Sequence, residues 1–445
     1  MGSAGVVSRY ANGKANKVHP RDQAVHNWYR FVLSFPPHLV GDYLARFGIG
    51  PKQRVLDPFC GTGTTLVECK KQGVPSVGIE ANPIAHFASQ VKTAWGVDPA
   101  KLAEHAARIA EETAARLEAQ GLGDFFQSPR GVPQDEVQLL ELPPESHRLL
   151  LTSSISPTPL HKALTLLDAI RPQGPGPYQD HELLALAKIL PTTVGNLHFG
   201  PEVGVGPAKV DAPVVEAWAS EVRQIVSDLR LVRGRWHVPS IVHCADARLV
   251  EDLLPPASID AVITSPPYPN EKDYTRTTRL ESVILGFLTS RADLRALKHG
   301  LLRSNTRGVY KTDDDDRWIA DHPEVERLAR EIEARRIELG KTSGFERLYA
   351  RVTKLYFGGM KRHFAALRSR LRPGAHLAYV VGDQASYLRV MIRTGQLLAE
   401  IAESLGYEVI GIDLFRTRLA TATREQLREE IVVLRWPGNQ CVPLS

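Results

Sequence analysis

Cysteine is sparse in this chain of 445 residues, and its few copies are scattered: Cys60, Cys69, Cys244 and Cys441. No C-x-x-C pair occurs, so neither a zinc site nor a disulfide framework is indicated, and a reducing compartment fits best. No run of about eighteen apolar residues is present, so no membrane span is expected. The N-terminal region lacks a charged stretch followed by an apolar one, so no secretory signal is expected and a cytoplasmic location follows. Neither charge sign dominates. Lys and Arg number 55 against 50 Asp and Glu, a formal net charge of +5 that permits a polyanionic partner without demanding one. Internal repeats and long low-complexity tracts are missing as well. The acidic run Asp313 to Asp316 lacks the glycine and terminal glutamate of a calcium loop and reads as a solvated turn; no metal is expected.

What is present is an alternation of short apolar runs with helical patterns. Arg54-Val55-Leu56 ends in Asp57, and Ser76 to Ile79 ends in Glu80. Ser240 to Cys244 ends near Asp246, Asp260 to Thr264 ends at Ser265, and His376 to Val381 ends at Gly382. These runs read as buried parallel strands, with Cys60 and Cys244 as small packing residues. Glu408 to Leu414 and Glu430 to Arg435 read as closing strands. Helical patterns cover Thr64 to Gln72, Ala100 to Gln120, Pro213 to Arg233 and Arg393 to Leu405. The order predicts an open, mostly parallel α/β sheet. Ligands of such sheets sit beyond the carboxyl ends of the strands, at the switch point of strand order, which marks Asp57, Glu80, Asp246 and Ser265 as site candidates.

The spacing is uneven. Residues 100–239 are too long for a simple crossover and are expected to form an inserted, mainly helical subdomain, with a Pro/Gly-rich stretch carrying Pro157, Pro159, Pro172, Pro175 and Pro177. A second insertion is expected at 272–345 and a flexible segment at 1–24, leaving 25–99 and 240–445 as the core domain. Asn196 to Glu202 has no assigned role, and His198 within it reads as structural.

Asp57-Pro58-Phe59-Cys60-Gly61-Thr62-Gly63-Thr64-Thr65 joins the first strand to its helix. Gly61 and Gly63 allow a tight turn and close approach to a ligand, and the helix N-terminus offers N–H groups to an anion. No lysine follows Gly63, which excludes a P-loop, and Leu66 stands where a dinucleotide fingerprint wants a third glycine. Glu80 closes the second strand near the offset at which an acidic residue hydrogen-bonds ribose.

This loop resembles the cofactor loop of the amino-directed DNA methyltransferases, which bind S-adenosylmethionine. The resemblance implies a Rossmann-like methyltransferase sheet with a large helical insertion. It implies that Asp57, Gly61 and Gly63, with Pro58, Phe59 and Thr64 around them, contact the methionine part of the cofactor. Glu80 would take the ribose and Asp246 would lie near the adenine. Ser34-Phe35-Pro36-Pro37 before an apolar helix resembles the extra N-terminal motif of the family, with Phe35 and Pro36 walling the methionine.

Thr264-Ser265-Pro266-Pro267-Tyr268 follows the fourth run. A base amino nitrogen is a poor nucleophile because its lone pair is delocalised. It needs alignment with the methyl donor and acceptors for its protons. The Ser265 hydroxyl and the Pro266 carbonyl can accept, the proline pair Pro266-Pro267 holds the turn rigid, and Tyr268 can stack on a base rotated out of the duplex. Ser-Pro-Pro-Tyr resembles the version associated mostly with N4 of cytosine; forms beginning in Asn or Asp go mainly with N6 of adenine. Methylation of cytosine carbon 5 needs a cysteine nucleophile, which in the family that performs it lies in a Pro-Cys pair, and none of the four cysteines here follows a proline. Basic and aromatic residues after the loop, Lys272, Tyr274, Arg276, Arg279, Arg303, Arg307, Tyr310 and Lys311, are candidates for double-stranded DNA contact. The resemblance implies a DNA methyltransferase of a prokaryotic or phage restriction–modification or protective system, alongside a separately acting endonuclease. N6-adenine and RNA-base methylation are the alternatives.

Overall fold

The computed structural model describes residues 18–19, 22–30, 34–124, 138–171, 176–200, 202–270, 272–419 and 426–438. Most of the segment expected to be flexible, with Pro172, Pro175, Pro201 and Cys441, lies outside the described residues.

The apolar runs become strands β1 (Val55–Asp57), β2 (Ser76–Glu80), β5 (Ser240–Cys244), β6 (Ile259–Thr264), β7 (Leu371–Gly382), β8 (Glu408–Leu419) and β9 (Gln426–Arg435). A separate hairpin, β3 (Leu197–Phe199) with β4 (Val203–Val205), carries Asn196 to Gly200. The seven-stranded sheet runs β5-β2-β1-β6-β7-β9-β8, parallel except for β9. The strand order reverses between β1 and β6, so the switch point lies at the ends of those two strands.

The pleat sorts the core. Leu56, Val262, Leu377, Tyr379, Val432 and Leu434 face one side, under helices that include Tyr349–Leu367 and Thr394–Ser404. Val55, Ala261, Ile263, Ala378, Val380 and Val433 face the other, under α1 (Pro37–Arg46) and α2 (Thr64–Lys71). A third apolar cluster joins α3 (Pro83–Thr93) to α4 (Pro99–Ala119), α5 (Pro157–Ile170), α6 (Gln179–Ile189) and α7 (Val214–Val232). Leu280, Val283, Ile284 and Leu288, from beyond the catalytic loop, belong to the same cluster.

Four expectations need correction. The Pro/Gly-rich stretch contains α5, because Pro157 occupies its first turn, where proline has no N–H to waste. Run β5 is not buried: it is the sheet edge, with Ile241 51% exposed. Cys244, at its end, is likewise exposed and is not a packing residue. The acidic run is no solvated turn. Asp315 is buried and pairs with Arg248 and Arg362, while Asp313 takes a two-pronged bond from Arg303 at 2.9 and 2.8 Å.

That acidic segment is seated on Gly358 and Gly359 of the long helix α9 (Tyr349–Leu367), numbered after α8 (Pro323–Glu338). A Cβ on Gly358 would overlap the Asp315 carbonyl. Gly358→Ala should therefore displace the segment and lower stability by about 2–4 kcal/mol. A thermal unfolding midpoint equal to that of the unmodified protein would refute this account of the glycine pair.

Candidate active site

The glycine turn and the Ser-Pro-Pro-Tyr turn leave neighbouring strands at the same edge of the sheet. β1 and β6 are paired in parallel through Leu56 and Val262. Asp57 and Thr264 end the two strands, and the Thr264 hydroxyl donates a 2.6 Å hydrogen bond to Asp57 Oδ1. Thr65, in the helix that follows, donates to the Ile263 carbonyl at 3.0 Å, a second tie between the two segments.

At the glycine turn, Asp57 is fully buried and its Oδ2 meets no partner. Burial pushes its carboxyl up to about 6, against the downward pull of the Thr264 bond. Gly61 and Gly63 have φ of 51° and 82°, the left-handed region that glycine adopts without strain. They do different work. A Cβ on Gly63 would lie 2.6 Å from Ser89 Oγ, so this glycine lets the turn pack on α3. A Cβ on Gly61 would meet nothing within 4 Å, so its side faces open space. α2 then begins at Thr64 with no side chain capping its first turn. Pro58 is buried and Phe59 half-buried, with Phe59 set edge-on against His363 at 5.0 Å.

Glu80 accepts the Gly61 N–H at 2.8 Å and the Asn82 N–H at 2.8 Å, one on each oxygen. Part of its surface remains accessible, yet protein crowds it closely enough to push its carboxyl up to about 7. Asp246 caps the turn after β5, and both its oxygens are engaged by Arg248. Phe35 lies half-buried against the cluster under α1.

At the second turn, the Ser265 hydroxyl donates to the Val380 carbonyl at 3.0 Å. Its proton is thereby committed, and its lone pairs are left to accept. Pro266 is buried and Pro267 half-buried. The Tyr268 ring rests on Gly382, where a Cβ would come within 3.0 Å of it. Burial raises the Tyr268 hydroxyl well above its ordinary range, with Glu429 adding to the rise. The exit of the loop is pinned by the Asn270 N–H on the Ser304 carbonyl at 2.9 Å.

A family model described as DNA methylase matches residues 11–90, the stretch that contains the glycine turn. "Type II methyltransferase M.BsoBI" of Geobacillus stearothermophilus is 26% identical over 93% of this chain and 85% of that protein. "Type II methyltransferase M.AvaI" of Nostoc sp. is 23% identical over 95% and 88% respectively. The chain is thus similar to the DNA methylases of that model and to these Type II methyltransferases. The crystal structure of TrmN from Thermus thermophilus superposes at a TM-score of 0.32 and 10% identity, over 94% of this chain and 54% of that one, too loosely to carry an argument.

S-adenosylmethionine is the methyl donor of this methyltransferase. The residues present fit it. An unpartnered buried carboxylate oxygen on Asp57 suits an ammonium group, and the open side of Gly61 is a cradle that a side chain would fill.

Several residues around the site escaped the sequence reading. Lys92 of α3, fully buried, donates to the Thr62 carbonyl at 2.7 Å and so braces the glycine turn from below. Asn82 donates to Thr278 Oγ1 at 3.1 Å and keeps an unpartnered Oδ1. Tyr274, expected on the DNA side, has its hydroxyl pushed up to about 12 by burial and also lies in the field of Glu80. Asn82-Pro83, after the acid that ends β2, was the one local signal available. Two candidates for DNA contact are corrected. Arg279 is buried and spends its guanidinium on Thr275 and the Leu149 carbonyl, and Arg303 spends its own on Asp313 and nearby carbonyls.

The two glycines should separate on substitution. Both alanines carry the strain of a positive φ, but Gly63→Ala, which also clashes with Ser89, is expected to lower the unfolding temperature more than Gly61→Ala, whereas Gly61→Ala should be the one that weakens S-adenosylmethionine binding, by about tenfold or more. Calorimetric titration beside thermal unfolding checks this; equal effects on both readouts in the two variants would contradict it.

A pH dependence follows from the raised carboxyls. Groups with folded pKa values above their unfolded ones stabilise the protein at low pH, and that contribution is lost as pH rises through the folded values. The ligand-free protein should lose this share of stability as pH rises through about 6 to about 7. A cationic ligand favours the ionised forms, so its affinity should grow over the same interval and Asp57→Asn should flatten the lower part. Binding that is equal at about pH 5.5 and about pH 8 would count against it.

Proposed function

We propose that this chain transfers a methyl group from S-adenosylmethionine to the exocyclic N4 of cytosine in double-stranded DNA, as the modifying partner of a restriction–modification or DNA-protection system. The reading rests on one observation: the glycine turn and the Ser-Pro-Pro-Tyr turn leave paired strands, joined by the bond from Thr264 to Asp57.

S-adenosylmethionine, when bound, supplies a methyl group activated by a sulfonium centre. Asp57 would accept from its ammonium, Gly61 and the first turn of α2 with Thr64 would leave room for and face its carboxylate end, and Glu80 would accept from the ribose. Gly63 serves by letting the turn pack on Ser89. Pro58 and Phe59 shape the turn, and Phe35 would wall the methionine from the α1 side. Asp246 remains at the adenine end, held by Arg248.

Ser265 is oriented to receive a proton of the target amino group, because its own hydroxyl proton points to Val380. The Pro266 carbonyl is the second acceptor, in a turn that Pro266 and Pro267 make rigid. As both accept, the nitrogen lone pair localises toward the methyl group. Tyr268, resting on Gly382, offers a face on which an extruded base can stack. Ser at the first position of the motif favours cytosine N4 over adenine N6. The insertion at 100–239 is the proposed target-recognition region, with the β3–β4 hairpin within it. The names of the Type II relatives support the restriction–modification role and, with it, a cytoplasmic location beside the DNA; among the described residues no helix is long and apolar enough to cross a membrane.

Ser265→Ala and Tyr268→Ala are each expected to lower kcat by about a hundredfold or more while leaving cofactor affinity within about twofold. Single-turnover kinetics with labelled cofactor reads both; full activity in Tyr268→Ala would remove the stacking role. Sequencing of modified bases in DNA from cells expressing the protein should return N4-methylcytosine in one sequence context. N6-methyladenine there, or methyl transfer to tRNA alone, would overturn the assignment.

A further inference from the structure

The loop that follows β7 stands beside the catalytic turn. β6 and β7 are paired in parallel as far as Thr264 and Tyr379, so their continuations leave the same edge of the sheet. This loop, 383–393, starts next to Gly382, on which the Tyr268 ring rests. Two backbone bonds between Gln384 and Ile392, at 3.1 and 2.7 Å, close it into a short hairpin. Its flanks belong to the core: Tyr387, Val390 and Ile392 are buried. The Tyr387 hydroxyl donates to the Ser304 carbonyl at 2.9 Å and lies 3.4 Å from the Asn270 carbonyl, and these two residues pin the exit of the catalytic loop.

The tip of the hairpin is strained. The Val390 N–H donates to the Tyr387 carbonyl at 3.0 Å, and the two residues between them, Leu388 and Arg389, have φ of 56° and 64°. Two positive φ values in succession are the pattern of a mirror-image turn, which glycine and asparagine form readily and larger side chains do not. Such strain persists only where the surroundings force it, and it gathers at functional sites.

Packing accounts for Tyr387 and Val390. It does not account for Arg389, which is exposed and makes no hydrogen bond or ion pair among the described residues. Other arginines around this loop are spent. Arg393 and Arg428 reach the buried Asp383 carboxylate at 2.6 and 3.1 Å, and Arg418 donates to the Asp383 carbonyl and faces Glu429. A guanidinium fork matches a phosphate, and a stiff tip lowers the entropy lost on binding one. A duplex that delivers a base onto Tyr268 must carry its backbone past the mouth of the same pocket.

We propose that Arg389 grips a backbone phosphate beside the target nucleotide, and that the strained turn holds its guanidinium out for that contact. The inference rests on the DNA reading above and adds the element that holds the backbone.

The test is duplex binding as a function of salt, read by fluorescence anisotropy with S-adenosylhomocysteine present, beside thermal unfolding. Arg389→Asn should leave the unfolding temperature equal or higher, because asparagine tolerates a positive φ. It should weaken binding severalfold at low salt, equally on all duplex sequences, and flatten the slope of log affinity against log salt by about 0.9. Arg389→Lys should keep the slope, since the charge remains. Cofactor affinity should stay unchanged in both variants. An Arg389→Asn enzyme that keeps the full affinity and slope overturns the grip while leaving the DNA reading standing. A fall in its unfolding temperature makes the arginine part of the fold and overturns the proposal as well. If the unmodified enzyme binds tRNA but no duplex, both readings fall.

Discussion

Thr264 donates its hydroxyl proton to Asp57 where the two switch-point strands end side by side, and the geometry of the site depends on that contact. A parallel pair of strands sets the spacing of two loops, but it does not set their angle. The threonine–aspartate bond does, because it lies in a dry interior where a charge-assisted bond is strong and its loss leaves a buried carboxylate exposed to no water. One loop then presents glycines and a helix start, and the other presents hydroxyl, carbonyl and ring. Asp57 is held in place by one oxygen and left free at the other, which is a costly arrangement for an empty site and a favourable one for a cationic ligand.

The surroundings of this junction are built to keep it still. Lys92 supports the glycine turn through the Thr62 carbonyl, Glu80 binds the turn and the start of α3 with opposite oxygens, and Gly382 clears space for the Tyr268 ring. His363 extends the brace. Fully buried, it bonds the Ala247 carbonyl at 2.9 Å and the Tyr379 hydroxyl at 2.7 Å, while Phe59 of the glycine turn lies against its ring. Burial drives its pKa down to about 4, so it stays neutral and serves as a fixed spacer.

Charge is used to fasten elements to one another. Away from the catalytic turn, carboxylates and guanidiniums consume one another in buried networks, as Asp315 does with Arg248 and Arg362, and Asp313 with Arg303. These networks fasten the segment after the catalytic loop to α9 and to the turn that holds Asp246. Beside Tyr268, Glu429 takes a two-pronged bond from Arg416, at 2.6 and 2.9 Å.

The sequence by itself determined the local features. Strand runs, their polar ends, the glycine turn and the proline-stiffened turn were all legible, because alternation, backbone freedom and turn chemistry depend on neighbours within a few residues. Helix α5 was not, since its opening prolines look like a breaker until they are seen in the first turn. Only the tertiary structure decided the strand order, the exposure of β5 and Cys244, and the fate of each arginine. Arg279 is claimed by a carbonyl 130 positions away, and Arg248 by an aspartate 67 positions away. Whether a charge is spent or free is a property of what packs beside it, and partners that distant leave no periodicity in the chain.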